Sequence, residues 1–356
     1  MNSADIFSIE INQTTQSRLP ETDIQNPVFG TVFSDHMLTC DYIDGKWQTP
    51  KIEPYGEISI SPAAKVFHYG QAIFEGMKAY RDKDGGVWLF RPEENFERFN
   101  KSSTRLAIPE VPREVFIGGL IELLKLDKDW VPAGYGNSLY IRPFIFASQT
   151  GVSASPSTNY KFMILLCPVK SYYTGDVKVL VAEHYSRAAN GGVGAAKAAG
   201  NYGAQFYPTN LAKKMGYDQI IWTDDCSHQY LEEAGTMNLF FRINNTLITA
   251  PVSERILDGV TRKSLIDIAK DLGISVEIKK LSVDELLEAQ NNGSLKEIFG
   301  AGTAAVVSPV SGFGYRDTHY ELTKAENSYA LLLKEKLMNI QWNIDADKFG
   351  WRLKVE

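Results

Sequence analysis

Two short apolar runs, SLYIRPFIFAS (Ser138–Ser148) and YKFMILLCPV (Tyr160–Val169), limit most sharply what this chain can fold into. They are too short to cross a membrane as helices and suit strands of a buried sheet. The residues before them supply the rest of a layered unit. MKAYRDKDGGVWLF carries two apolar-aromatic runs around Asp84-Gly85-Gly86, a hairpin signal. EENFERFNKSSTRLA places Phe96, Phe99, Leu106 and Ala107 at rough helical spacing. PREVFIGGLIELLKL opens on a proline, which the first helical position tolerates, and puts Phe116, Leu120, Leu123 and Leu124 on one stripe. The first twenty-five or so residues read as an arm.

PVKSYYTGD (Pro168–Asp176) is turn-rich and near mid-chain, so it is the expected linker. After it, VKVLVAEHY and YDQIIWTDD read as strands, with a helix expected over roughly 204–215 between them. NLFFRINNTLITAP reads as two strands joined at Asn244-Asn245, and TRKSLIDIAKDLG as a helix closed by Gly273. KEIFGAGTAAVVSPV is a strand breaking into a glycine turn, and AENSYALLLKEKLMNIQW an amphipathic helix. The pattern predicts an α/β (α+β) chain of two domains, 1–167 and 177–356, joined by a linker over 168–176.

The totals exclude several classes. At 356 residues there is room for two cores. A formal charge of −6 argues against a nucleic-acid binder. No apolar run reaches membrane-spanning length, and the acidic, polar N-terminus lacks the pattern of a secretory signal. Cys40, Cys167 and Cys226 are odd in number and far apart, which fits a reducing cytoplasm and offers no metal-binding spacing.

The chemistry centres on GGVGAAKAAGNYG (Gly191–Gly203), where Lys197 is the single charge among glycines and alanines. A lysine in a flexible surface loop is one reading. A phosphate loop is another, but Ala196 and Ala198 flank Lys197, so the Gly-Lys-Ser/Thr of a Walker motif is missing, and Lys197 occupies the last glycine of GxGxxG. The third is an amine that attacks a carbonyl. An ordinary lysine is protonated at neutral pH, and a site with no carboxylate beside it would favour the neutral, reactive form. The small neighbours would also let a flat cofactor approach.

Other stretches supply matching parts. LEEAGTMNLFF has acids, a small-residue turn and the Thr236 hydroxyl; ILDGVTRKSL has Gly259 immediately before a helix, whose free N–H groups and dipole favour an anion; GAGTAAVV is a glycine turn with Thr303. Lysine, helix start and buried acid are together what pyridoxal 5′-phosphate needs: one for the aldehyde, one for the phosphate, one to keep the pyridine nitrogen protonated.

These stretches resemble the branched-chain amino acid aminotransferases, pyridoxal phosphate enzymes of fold type IV. FHYGQAIFEGMKAY, LYIRP, GGVGAAKAAGNYG, LEEAGTMN, LDGVTR and GAGTAAVV fall in that family's order, and the likeness runs from about Phe29 onward. The resemblance implies a small N-terminal α/β domain, a linker and a larger pseudo-barrel domain, with the site between them. It implies a homodimer or an assembly of dimers. By the same resemblance Lys197 is the Schiff-base lysine and proton carrier, and Glu233, rather than its neighbour Glu232, pairs with the pyridine nitrogen. Tyr202 would bond the phenolic oxygen, and Thr236 would belong to the cofactor site. Arg98, Gly259, Val260, Thr261 and Thr303 would hold the phosphate. Arg187 stands ten residues before the lysine and is a looser candidate, since a surface ion pair is the usual fate of such an arginine. Phe74 and Tyr202 would wall the substrate; Tyr140 and Arg142 would meet a glutamate side chain; Thr303 and Ala304 would bind the α-carboxylate; Tyr69 would reach in from a partner subunit. The family's mammalian Cys-x-x-Cys is replaced here by Ala305 and Ser308, so no thiol switch is expected there.

The implied reaction is amino transfer from L-leucine, L-isoleucine or L-valine to 2-oxoglutarate. The alternatives are a D-amino acid aminotransferase or aminodeoxychorismate lyase of the same fold, and a glycine-loop nucleotide-binding protein with no Schiff-base chemistry.

Overall fold

The computed structural model describes residues 8–170 and 177–356. It divides into two compact units. One comprises the chain up to Tyr172 together with Ala196–Ala199 and Ile340–Glu356; the other comprises Tyr173–Ala195 and Gly200–Asn339. The expected linker begins inside a strand, because Pro168 and Val169 end Tyr160–Val169, while residues 171–176 lie outside the described residues. The C-terminal strand Arg352–Val355 pairs antiparallel with Val87–Phe90 and so belongs to the first unit's sheet.

In the first unit the two apolar runs become the antiparallel pair Ser138–Ala147 and Tyr160–Val169, in register from Ser138–Val169 to Ala147–Tyr160. His36–Ile43 flanks the second of these strands, and Met77–Arg81 flanks the first. Phe99, Phe116 and Phe162 pack ring on ring under this sheet, with Leu120, Leu123 and Leu124 buried from the same amphipathic stripe. The helix with Phe96 and Phe99 runs Pro92–Arg105. Leu106 caps it and Ala107 turns left-handed (φ 54°), so the helix stops two residues short of the expected stripe's end. The next helical stretch starts with a π-type turn at Glu114–Gly118 before Gly119–Leu126 continues as α.

The second unit is a closed ring. From Met237–Ile243 the ring runs through Leu295–Gly302, Val306–Tyr315, Val177–Val181, Gln219–Thr223 and Tyr230–Ala234, each strand pairing with the next and the last with the first. Closure leaves no edge within the ring, and its mixed parallel and antiparallel ladders make a pseudo-barrel. The fill is aliphatic and aromatic, including Val179, Ile221, Leu239, Ile298 and Phe313. The Gly235-Thr236 turn closes the ring by setting Glu233 opposite Asn238. Asn244 adopts φ 52° in its hairpin turn, and Gly273 (φ 73°) follows the helix Val260–Asp271, both where the sequence pattern puts a turn or a stop.

Candidate active site

Lys197 is fixed by its backbone. Its carbonyl accepts the N–H of Phe74 (3.1 Å), its N–H donates to Ser102 Oγ (2.9 Å), and Ala198 bridges to Ile73. Its Nζ stands 4.8 Å from the centre of the Phe74 ring, a cation–π distance. The fold corrects one expectation here. Nothing adjacent in sequence could pair with the lysine, yet the buried carboxylate of Glu75 feels its charge. Burial pushes the Glu75 carboxyl up, but the Arg98 guanidinium, its hydrogen bond and the charge of Lys197 outweigh this and hold it below the usual range. The small residues need a second reading too. A Cβ on Gly194 would fall 2.5 Å from Ala188 Cβ and 2.7 Å from the carbonyl of Arg255, so the close approach there is of the chain to itself.

Glu75 is fully buried, in a buried polar cluster with Asn95 and Arg98. Arg98 donates Nε to Oε1 (2.7 Å) and Nη2 to Oε2 (2.9 Å), and Asn95 Nδ2 donates to Oε2 (2.8 Å). Beside it the substrate residues named by resemblance come together. Arg142 lies over the rings of Phe74 (4.6 Å) and Tyr140 (5.3 Å) and donates to the Tyr140 hydroxyl (3.1 Å). That hydroxyl occupies the space of a Cβ on Gly76, 2.1 Å away, so only glycine fits between Glu75 and Met77. Phe29 packs edge-on against Tyr140 at 5.2 Å. Tyr69 is half exposed, and its hydroxyl donates to the carbonyl of Val152.

In the second unit, strand alternation separates the two candidate acids of Tyr230–Ala234. Glu232 pairs with Arg255 (2.5 Å), which also meets Asp225 and Asn190. Glu233 pairs with Arg187 (2.5 Å) and accepts from Asn238 Nδ2 (3.0 Å) and the N–H of Leu257 (3.3 Å). Arg187 is therefore no surface residue; both partners of this pair are buried. It also donates to the carbonyl of Gly194, three residues before the lysine (3.0 Å). Gly259 caps Val260–Asp271 with no side-chain hydrogen bond to the helix's first N–H groups, and Val260 and Thr261 are buried in its first turn. Thr236 is exposed in its turn, Tyr202 is partly buried in the short helix Ala199–Gly203, and Thr303 and Ala304 are partly exposed in the turn before Val306. Ala305 and Ser308 are buried.

Sequence reasoning missed three of these residues. Glu75 announces itself as an acid inside FEGMKAY, where only a paired charge could be buried. Asn238 is found only through its register with Glu233, and Phe29 only through its contact with Tyr140.

Residue by residue, these groups have definite chemistry: an amine on an aromatic face, an ionisable carboxylate held by an arginine, an amide and a backbone N–H, and a helix start with a buried hydroxyl. They fit a group that carries an aldehyde, a ring nitrogen and a phosphate. Residues 72–313 match the family model for class IV aminotransferases, whose cofactor is pyridoxal 5′-phosphate. A probable branched-chain-amino-acid aminotransferase of Staphylococcus aureus (strain N315) is 46% identical over 336 residues, 92% of this chain and 93% of that one. Branched-chain-amino-acid aminotransferase 2 of Bacillus subtilis (strain 168) is 42% identical over 348 residues, 96% of each chain. Among solved structures, the branched-chain amino acid aminotransferase from Escherichia coli superposes with a TM-score of 0.71 at 25% identity, covering 89% of this chain and 99% of that one. The chain belongs to the branched-chain amino acid aminotransferases, enzymes of fold type IV. Among the described residues no helix is long and apolar enough to cross a membrane, and no cluster of side chains could hold a metal ion.

Proposed function

We propose that this chain moves the amino group of L-leucine, L-isoleucine or L-valine to 2-oxoglutarate in two alternating half-reactions, releasing a branched 2-oxo acid and then L-glutamate. The observation that carries this reading is the pair of residues at the two ends of the chemistry. Lys197 is pinned through its backbone with its amine on Phe74, and Glu233 is buried with its carboxylate on Arg187.

Bound pyridoxal phosphate supplies the aldehyde that takes up the amino group and the ring that accepts the electron pair left at Cα. Lys197 would hold the cofactor through its aldehyde, and its amine would carry the proton between the substrate's Cα and the cofactor. Glu233, paired with Arg187, would accept the hydrogen bond of the protonated pyridine nitrogen. Tyr202 donates to the phenolic oxygen. Arg98, Thr261, Thr303 and the N–H groups after Gly259 hold the phosphate, and Thr236 lines the same site. Phe74 and Tyr140 give an apolar wall for the branched side chains. Arg142, already turned toward the Tyr140 hydroxyl, meets the distal carboxylate when glutamate or 2-oxoglutarate binds. The Thr303-Ala304 turn takes the α-carboxylate.

The same reading expects a small domain over 1–167 and a large one from 177, joined over 168–176, with the C-terminal strand Arg352–Val355 returned to the small domain's sheet. It makes the enzyme a cytoplasmic homodimer or an assembly of dimers, in which the exposed ring of Tyr69 completes the partner's substrate site. Initial rates with L-leucine and 2-oxoglutarate varied together test the function. The reading expects parallel double-reciprocal lines and no turnover of D-alanine. Intersecting lines, or a preference for the D-amino acid, would reject it.

A further inference from the structure

We infer that Glu75 is a positioning residue for phosphate recognition: it fixes the guanidinium of Arg98 in the orientation that takes the cofactor's phosphate. The inference rests on the reading of Arg98 as a phosphate ligand given above.

Three features point to this role. The first is the two-point attachment. Both oxygens of Glu75 engage Arg98, at 2.7 Å and 2.9 Å, and such a fork fixes the plane of the guanidinium as well as its place. A side chain already ordered loses less freedom when its ligand arrives. The second is that Glu75 is itself held. Asn95 Nδ2 and the N–H of Gly76 both donate to Oε2, at 2.8 Å and 3.1 Å, and the side chain has no solvent exposure. The third is the helix that carries Arg98. One turn further on, Ser102 Oγ donates to the carbonyl of Arg98 and accepts the backbone N–H of Lys197, both at 2.9 Å. Arg98 and Lys197 are thus spaced by one helix, and Glu75 grips the guanidinium at its end. Stability alone does not call for this pair, since a buried ion pair is often no better than apolar packing of the same volume.

Charge alone makes the opposite forecast. A carboxylate beside Arg98 weakens its pull on a dianion, so removing that charge would tighten phosphate binding. Orientation and charge are therefore separable. Full-length enzyme is stripped of cofactor and reconstituted with pyridoxal phosphate or with pyridoxal, which lacks the phosphate, and each affinity is read from visible absorbance. For Glu75→Gln we expect pyridoxal phosphate to bind about 10–100-fold more weakly, the range for residues that orient a ligating group, with pyridoxal changed less than about twofold. Arg98→Met should show the same selective loss, and the double variant should bind no worse than Arg98→Met.

An unchanged or tighter affinity of Glu75→Gln for pyridoxal phosphate, or an equal loss for both ligands, overturns the inference. If Arg98→Met binds pyridoxal phosphate as tightly as wild type, the reading of Arg98 falls, and the inference with it. If Arg98→Met weakens binding and Glu75→Gln does not, only the inference falls. Should Glu75→Gln not fold, Asn95→Ala loosens the same carboxylate without removing its charge. It should lose about threefold in pyridoxal phosphate affinity and keep its pyridoxal affinity, and no loss there is also contradictory.

Discussion

Each unit buries a carboxylate on an arginine, and the two pairs are built in opposite senses. In the first, Glu75 grips Arg98 through both oxygens and is closed off by Asn95 and Gly76; under the proposed function the arginine is the group presented to a ligand and the acid its brace. In the second, Arg187 meets Glu233 while Asn238 and Leu257 hold the same carboxylate; under the proposed function the acid is the presented group and the arginine its brace. In that function the contrast follows from the cofactor's own polarity. A phosphate needs a cation held still, and a protonated ring nitrogen needs an anion kept ionised. Buried ion pairs contribute little to stability on balance, and the proposed function gives these two the task of fixing charge and direction.

The sharpest way to break that comparison is at Glu233. Glu233→Gln keeps the shape and removes the anion, and kcat should fall by on the order of 10²–10³-fold, the size of loss when one electrostatic contact to the reacting group is removed. A loss of less than about fivefold would mean that Glu233 is only structural. The brace comes next. Arg187→Met leaves a buried carboxylate without its cation, and should cost about 3–5 kcal/mol of stability together with most of the activity. Denaturant melts beside kcat measurements check this, and near-normal values of both would show that Asn238 and Leu257 suffice. The control is the neighbouring acid. Glu232 pairs with Arg255, which Asp225 and Asn190 also hold, so Glu232→Gln should destabilise the fold yet hold kcat within about threefold, because alternation puts it on the other face of its strand. A loss matching that of Glu233→Gln would exchange the two roles.

Acid sharpens the first pair, with the smallest effect. The Glu75 carboxyl is held below its ordinary value of 4.5, so the stability it contributes is complete above that pH and is lost as pH falls through the lower folded value. Wild type should therefore lose stability below about pH 4.5 more steeply than Glu75→Gln, measured as urea midpoints. Parallel curves would mean that Glu75 is not ionised in the fold.

Much of this arrangement is legible in the sequence, for a physical reason. Lys197, Glu233, Gly259 and the Thr303 turn sit in local patterns, where one short stretch sets both backbone and chemistry, and the main strands and helices follow their apolar periodicity. The braces do not show locally. Glu75 and Arg98 lie on a strand end and a helix, Arg187 and Glu233 on a loop and a strand, and only the completed sheet and ring bring each pair together. The reading of Lys197 as remote from any acid failed for that reason, since Glu75 is distant in sequence and near in the fold. The π-type turn at Glu114–Gly118 and the early end of Pro92–Arg105 at the left-handed Ala107 also escape a 3.6-residue pattern, because the backbone there departs from that period.

The central claim is that Lys197 carries the chemistry, and one measurement meets it directly: the visible absorbance of purified wild type and Lys197→Ala, each with pyridoxal phosphate, before and after L-leucine. The account predicts a yellow wild type that L-leucine bleaches and a variant that does not turn over. A wild type that stays colourless with the cofactor, or a Lys197→Ala variant that turns over L-leucine at the wild-type rate, would contradict it.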